Sequence, residues 1–250
     1  MELRLLRHCR VDSTNERALT AIAEDTACHG DVHFAEEQSA GRGRLGRGWV
    51  SAPGEGLYLS LVLLPEAAPH PAALTMGAGL AVLESVHALG EPRARLKWPN
   101  DVLVAGAKLA GILVEARGHA PLHAVVGIGL NVRQREFPRE LEAERAVTSL
   151  ARLGVERTLD EAAHALLTRL APRLEQACTR PQETARDYAG MLDLVGSEVR
   201  VVLGRAERRG RLEALTLEGL VLATPDDESV RCLLEHVQVL EPWDETPRAG

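Results

Sequence analysis

The segment from Ser39 to Val50, SAGRGRLGRGWV, is where this 250-residue chain first shows residue types fit for chemistry. Arg42, Arg44 and Arg47 are interleaved with Gly41, Gly43, Gly46 and Gly48, and no acid interrupts them. Glycine exposes backbone N–H groups at close range and takes φ values other residues avoid, so such a loop can wrap an anion. Arginine forks grip phosphate or carboxylate in a bidentate way. Trp49 ends the loop with a ring on which a base or heterocycle can stack. The local sign opposes that of the whole chain, where 36 acidic residues outnumber 29 basic ones for a net charge of −7. A solvated flexible loop or a single-strand nucleic-acid segment has the same composition, so the loop alone points to an anion without saying which.

Three further stretches carry candidate groups. In Leu96-Lys97-Trp98-Pro99-Asn100-Asp101-Val102 a polar turn separates apolar strands, with Trp98 reading as core and Asn100 and Asp101 as turn residues. Lys108 then enters the apolar strand KLAGILVE, where an unpaired ammonium is costly, so it either snorkels or meets an anion. Gly111 within that strand admits close approach to the backbone. In Val126-Gly127-Ile128-Gly129-Leu130-Asn131-Val132 the GxG lacks the third glycine and the strand–turn–helix setting of a dinucleotide fingerprint. The sequence has no Walker A motif, no nucleophile elbow and no HxH or HExxH pair among its nine histidines. A site built from these residues positions anions and uses no covalent nucleophile.

The elements that must hold these groups can be read from periodicity and punctuation. Ser13 and Glu16 have capping-box spacing ahead of Leu19, Ile22 and Ala23, a helix closed by Gly30. Residues 3–11 are too short to assign. Strands are expected at 31–37, 56–64, 95–98, 102–104, 110–115 and 124–131, with a mobile loop at 39–50 and a helix at about 72–89 showing one apolar face. Strands in such close succession predict an antiparallel or mixed sheet covered by helices, an α/β (α+β) fold. Thr158 and Glu161 form a second capping box, opening a helix kinked at Pro172, and another follows Pro181 to about residue 194. Five short strands after that point, at 197–203, 210–217, 220–223, 230–234 and 237–240, predict a separate small β-barrel. The boundary falls near residue 194, giving units 1–194 and 195–250.

Composition narrows the class. Hydrophobic residues make up 45% and charged residues 26%, as in soluble globular proteins, and only 3% is aromatic, so Leu, Val and Ala build the core. The acidic balance disfavours a general nucleic-acid binder. Charge interrupts Met1-Glu2-Leu3-Arg4 before a signal-peptide run can form, and no uncharged apolar segment approaches the roughly 20 residues of a membrane span. Cys9, Cys28, Cys178 and Cys232 form no CxxC pair, which fits reduced thiols and a cytoplasmic location.

Taken in order, DSTN at 12–15, EQSAGRGRLGR at 37–47, KWPND at 97–101, KLAGILVE at 108–115, VGIGLNV at 126–132 and AVTSL at 146–150 resemble biotin–protein ligases, the biotin–[acetyl-CoA-carboxylase] ligases. The resemblance implies a class II synthetase-like, biotin–lipoate-ligase catalytic domain with a C-terminal Src-homology-3-like barrel. It implies biotin and ATP as substrates, Mg2+ as cofactor, and the biotin carboxyl carrier domain of a carboxylase as partner. Carried over by position, Ser13, Thr14, Asn15 and Gln38 hold the ureido head of biotin, and Arg42, Gly43 and Arg44 close over its carboxylate and the phosphate. Lys108 meets the carboxylate and α-phosphate, and Gly111 lets biotin lie on the strand. Arg42, Arg44, Arg47, Trp49, Lys97, Asn100 and Asn131 face the nucleotide, and Asp101 the magnesium. Arg42, Arg44 and Lys108 are the expected catalytic residues. Some family members carry a DNA-binding domain of roughly 60 residues before the Ser-Thr-Asn motif. Only twelve residues precede Ser13 here, so a ligase without repressor function, as monomer or homodimer, is expected. A lipoate–protein ligase and a nucleic-acid-binding module are the rival readings.

Overall fold

The GLYLSLVLL run becomes a strand in which all eight residues from Gly56 to Leu63 are buried, which requires neighbours on both edges and cover on both faces. The structure is a computed structural model that describes residues 1–65, 69–117, 123–224 and 229–244. In chain order its elements begin with β1 (Arg4–Val11), α1 (Thr14–Ala23), β2 (Asp31–Gln38), β3 (Gly56–Leu63) and α2 (Pro71–Leu89). There follow β4 (Arg95–Lys97), β5 (Asp101–Val104), β6 (Ala107–Arg117), β7 (His123–Asn131), α3 (Arg139–Glu144), α4 (Leu159–Thr179) and α5 (Pro181–Leu192). The last part holds β8 (Glu198–Leu203), β9 (Ala206–Leu215), β10 (Leu220–Ala223), β11 (Ser229–Cys232) and β12 (Val237–Pro242).

The first seven strands form one mixed sheet in the order β1-β2-β3-β7-β6-β5-β4. Only β1 and β2 run parallel, and every other neighbour pair is antiparallel. Helix α1 packs on one face over β2, β3 and β7, and α2, α4 and α5 cover the other. β1, left unassigned from sequence, alternates too weakly to show: Arg4, Arg7 and Arg10 break its pattern and instead pair with Asp31, Asp160 and Glu37.

Helix α2 is apolar on nearly every side, with 13 residues buried, so the single apolar face expected from sequence understates its environment. It lies between the sheet and α4, and a Cβ on Gly77 would come within 2.9 Å of the Arg173 carbonyl oxygen, which shows how closely the two helices approach. By length and composition α2 would also pass as a membrane span, but it is the core helix here and its charged Glu84 pairs with Arg173. The Thr158–Glu161 capping box forms as expected, with Glu161 N donating to Thr158 Oγ1 at 3.1 Å and Thr158 N to the Glu161 carboxylate at 2.8 Å. The helix it opens continues through Pro172 to Thr179. Helix α1 ends earlier than expected: the turn is made by Asp25 in the left-handed region (φ 54°), and Gly30 instead turns the chain into β2 (φ 90°).

The five C-terminal strands form an antiparallel sheet in the order β11-β10-β9-β8-β12. Its apolar side, with Val199, Val201, Leu212, Leu222 and Leu240, joins the same hydrophobic core as the large sheet. Trp98 sits at that junction, nearly buried, and its Nε1 donates to the Val237 carbonyl at 3.0 Å.

Candidate functional site

A cavity of about 510 Å3 opens on the α1 side of the large sheet and is closed at one rim by the C-terminal sheet. The chain builds its two ends differently.

At the first end, α1 and the edges of β2 and β3 bring short polar side chains together. Thr14 donates from its backbone N (2.8 Å) and its hydroxyl (3.1 Å) to Gln38 Oε1. Gln38 Nε2 donates to Ser51 Oγ at 2.8 Å. Ser60 Oγ lies 2.7 Å from Thr14 Oγ1 and 2.5 Å from Asn15 Oδ1, and Asn15 Nδ2 donates to the Glu115 carboxylate at 2.8 Å. Gly127 makes room for this arrangement, since a Cβ there would come within 2.1 Å of Asn15 Oδ1. Ser13 caps α1 by position, but its side chain makes no cap bond, so the expected Ser13–Glu16 capping box does not form. Asp12 takes the Ser13 N–H at 2.7 Å, and Glu16 turns outward to Arg42 at 3.0 Å.

At the other end, charge gathers. Lys108 Nζ is 2.7 Å from Asp101 Oδ1, and both side chains are mostly buried. Burial pushes the Lys108 pKa down, Asp101 opposes that shift, and the positive charges of Arg145 and Arg47 add to it. Two backbone bonds of 2.9 Å, Lys108 N to Ala146 O and Thr148 N to Lys108 O, clamp this strand end against residues 146–148. Trp49 lies over the glycines of β6 and β7: a Cβ at Gly129 would be 2.3 Å from its ring and one at Gly111 3.0 Å. Its centroid is 5.4 Å from Lys108 Nζ. The clearance expected at Gly111 is thus used by the indole.

The Gly/Arg loop between the two ends has a defined path. Gly43 N donates to Arg47 O at 2.7 Å, Arg42 bridges to Gly48, and Trp49 N donates to Gly41 O at 2.9 Å. Leu45 at its tip is 85% exposed and left-handed (φ 57°), a conformation costly for a side chain with a Cβ. Arg42 is tied to both Glu16 and Glu115, at 3.0 and 2.7 Å. Arg44 and Arg47 are exposed, and Arg44 donates to Asn100 Oδ1 at 3.2 Å, while Asn100 Nδ2 holds the Ile112 carbonyl at 2.7 Å. Lys97 stands at the rim, paired in register with Asp101.

The cavity therefore assembles every residue predicted for the site except Asn131. Asn131 is buried behind Trp49, where it donates to the Thr148 carbonyl at 2.9 Å and holds the 146–150 segment in place. Sequence reasoning missed Ser51, Ser60, Glu115 and Arg145, and the rim residues Arg200, Gln238 and Glu241 from the C-terminal sheet and Glu235 from the turn before β12. Ser60 had a signal, as the one hydroxyl in an otherwise apolar strand apart from Tyr58; Arg145, just past the charged helix α3, had none. Among the described residues no group of three or more His, Cys, Asp or Glu side chains is placed to hold a metal.

Comparison with known proteins agrees with this geometry. Residues 8–131 match the biotin/lipoate A/B protein ligase family. The chain is 42% identical over 197 residues to the biotin–[acetyl-CoA-carboxylase] ligase of Mycobacterium tuberculosis, covering 76% of this chain and 71% of that one. It is 31% identical over 240 residues to the bifunctional ligase/repressor BirA of Escherichia coli, covering 93% and 70%. It superimposes on the biotin protein ligase of Aquifex aeolicus in complex with biotin and ATP with a TM-score of 0.79 and 31% identity, over 96% of this chain and 99% of that one. With this likeness spanning the whole fold, the chain belongs to the biotin/lipoate A/B protein ligase family, among its biotin–protein ligases.

Proposed function

We propose that this chain activates biotin with ATP and transfers the biotinyl group to a lysine of a carboxylase carrier domain. One observation carries the reading: a single cavity joins a network of short hydrogen-bonding side chains to a buried lysine ringed by arginines. The polar end suits a neutral ureido ring, with Ser13, Thr14, Asn15 and Gln38 facing it. An unpaired polar group there is costly, so a ligand lacking matching N–H and C=O groups is rejected.

In the first step a biotin carboxylate oxygen attacks the α-phosphorus of ATP, the bond to the β-phosphate oxygen breaks, and pyrophosphate leaves. Two anions must meet, and Lys108, Arg44 and Arg47 offset their repulsion and stabilise the charge that develops. Arg42, tied to Glu16 and Glu115, anchors the loop at its start and also borders the carboxylate path. Trp49, Lys97 and Asn100 take the nucleotide side, with Asn131 supporting from behind. In the second step the lysine amine of the carrier attacks the acyl carbon, AMP leaves, and the amine gives up a proton. Closure of the Gly/Arg loop keeps water from the mixed anhydride between the steps.

Magnesium typically takes only one or two protein carboxylates, its other ligands being phosphates and water. Asp101, a carboxylate in the cavity wall beside Asn100, fits that requirement, and the bound ion would supply positive charge to the phosphates. Residues 1–194 then form the catalytic unit and 195–250 a small β unit that supplies one rim of the cavity. Free thiols at exposed Cys9 and Cys28 fit a reducing, cytoplasmic compartment.

Pyrophosphate–ATP exchange, run separately with biotin and with lipoate, tests the reading. Exchange that depends on biotin is expected; exchange with lipoate and none with biotin would overturn it.

A further inference from the structure

Around Lys108 the charges do not balance. Lys108 and Asp101 neutralise each other at 2.7 Å, yet Arg145 and Arg47 stand close enough to push against the Lys108 charge. Arg145 follows α3 and is carried into the cavity by the same backbone bonds that clamp residues 146–148 to Lys108. Its side chain borders both the main cavity and the smaller cleft behind Trp49, together with Lys108 and Gly48. It is 25% exposed, its Nε is buried without a hydrogen-bond partner, and Glu144, its adjacent acid, stands 4.0 Å away, beyond hydrogen-bond range. A guanidinium held among other cations, with a buried N–H unsatisfied, costs free energy unless an anion completes it.

We propose that Arg145 is a further substrate-contacting residue, gripping the same phosphate of the nucleotide that Lys108 meets. Arg145 approaches from the α3 side and Lys108 from β6, so the two bracket the phosphate, and the guanidinium supplies the planar donors a lysine lacks. This rests on the ATP-dependent reading above and adds to it a residue on a segment with no anion-binding motif.

The test compares R145M and R145K in the full-length protein. R145M keeps a long apolar stem against the cleft behind Trp49 but removes the charge; R145K keeps the charge. With R145M the KM for ATP in biotin-dependent pyrophosphate exchange should rise roughly tenfold, as for loss of one charge-assisted hydrogen bond, while the KM for biotin stays within twofold. R145K should keep most of the ATP affinity. Equal behaviour of R145M and R145K, or a parallel rise in both KM values, would overturn the role. Wild-type exchange with biotin reads the ligase assignment by itself, so the two failures are distinguishable.

Discussion

The two ends of the cavity are built on opposite principles. At the α1 end Thr14, Asn15, Gln38, Ser51, Ser60 and Glu115 satisfy one another, so the side chains are oriented before any ligand arrives. At the Lys108 end charge is concentrated on a buried lysine, on exposed Arg44 and Arg47, and on Arg145, and much of it is carried by segments outside regular structure. Recognition of a neutral ring asks for fixed donors and acceptors, because a mismatch leaves a buried group unpaired. Chemistry between two anions asks for cations that can close in and shield the reaction from water. The difference predicts that mutations at one end change biotin affinity, and those at the other change rate and ATP handling.

The largest effect should come from Lys108→Ala. Loss of one preorganised charge aimed at developing phosphate charge costs about 3–4 kcal/mol, or roughly 100- to 1,000-fold in rate. Single-turnover formation of the biotinyl adenylate measures it, with circular dichroism to check folding, since Asp101 loses its partner. A rate within about fivefold of wild type would remove Lys108 from the chemistry and dissolve the contrast between the ends.

Next in size is protection of the Gly/Arg loop. Its left-handed Leu45 and its exposed Arg44 and Arg47 mark it as weakly held, whereas Arg42 is fastened by two carboxylates. Trypsin should cut after Arg44 or Arg47 well before Arg42. Biotin with ATP and magnesium, at about 100 times the dissociation constant, should slow that cut by up to about a hundredfold. Unchanged cutting would mean the loop does not close over substrate.

A third effect bears on what supports the ordered end. His33 in β2 lies under α1, stacked on His8 with His8 Nε2 3.2 Å from its Nδ1, and Arg17, Arg4 and Asp31 stand around the pair. Burial, then the His8 charge, lowers the His33 pKa to about 4. Because the folded pKa lies below the unfolded one, the unfolded chain binds the proton more readily, and this stabilisation, full above pH 6.5, fades as pH falls towards 4. Between pH 7 and 5 the wild type should lose about 2 kcal/mol more unfolding free energy than H33Q. Urea unfolding at the two pH values measures it, and equal losses would refute it.

How far these features could be read in advance differed between the ends. The cationic end announced itself, because three arginines among four glycines and a lysine in an apolar strand are locally improbable. The sheet strands from 31 to 131 followed from apolar runs and turn residues. The ordered end was readable only for Thr14, Asn15 and Gln38, through a family pattern. Ser60 and Ser51 matter because β3 and the segment before it fold back beside α1, a contact between residues 45 positions apart that no local rule encodes. Arg145 and the C-terminal rim were hidden for the same reason. The Ser13–Glu16 capping box misled because Glu16 has a better partner in Arg42, supplied by a distant loop.

Ser60→Ala is the smallest change that separates the two ends. Ser60 is fully buried, and its single hydroxyl stands between Thr14 Oγ1 and Asn15 Oδ1, 2.7 and 2.5 Å away. Removing it deletes no group expected to touch the nucleotide, leaves every charge in place and creates only a small void. It does free the Asn15 amide to rotate away from the orientation that Glu115 and Ser60 jointly impose. A hydrogen bond of this kind is worth about 1 to 1.5 kcal/mol, so the KM for biotin should rise by roughly tenfold. The KM for ATP and the maximal rate of pyrophosphate exchange at saturating biotin should stay within about twofold, because Lys108, Arg44 and Arg47 are untouched. A rise in both KM values together would show that α1 and the Gly/Arg loop move as one unit, coupled through Glu16, Arg42 and Glu115. No rise in the biotin KM would show that Asn15 is oriented by Glu115 alone.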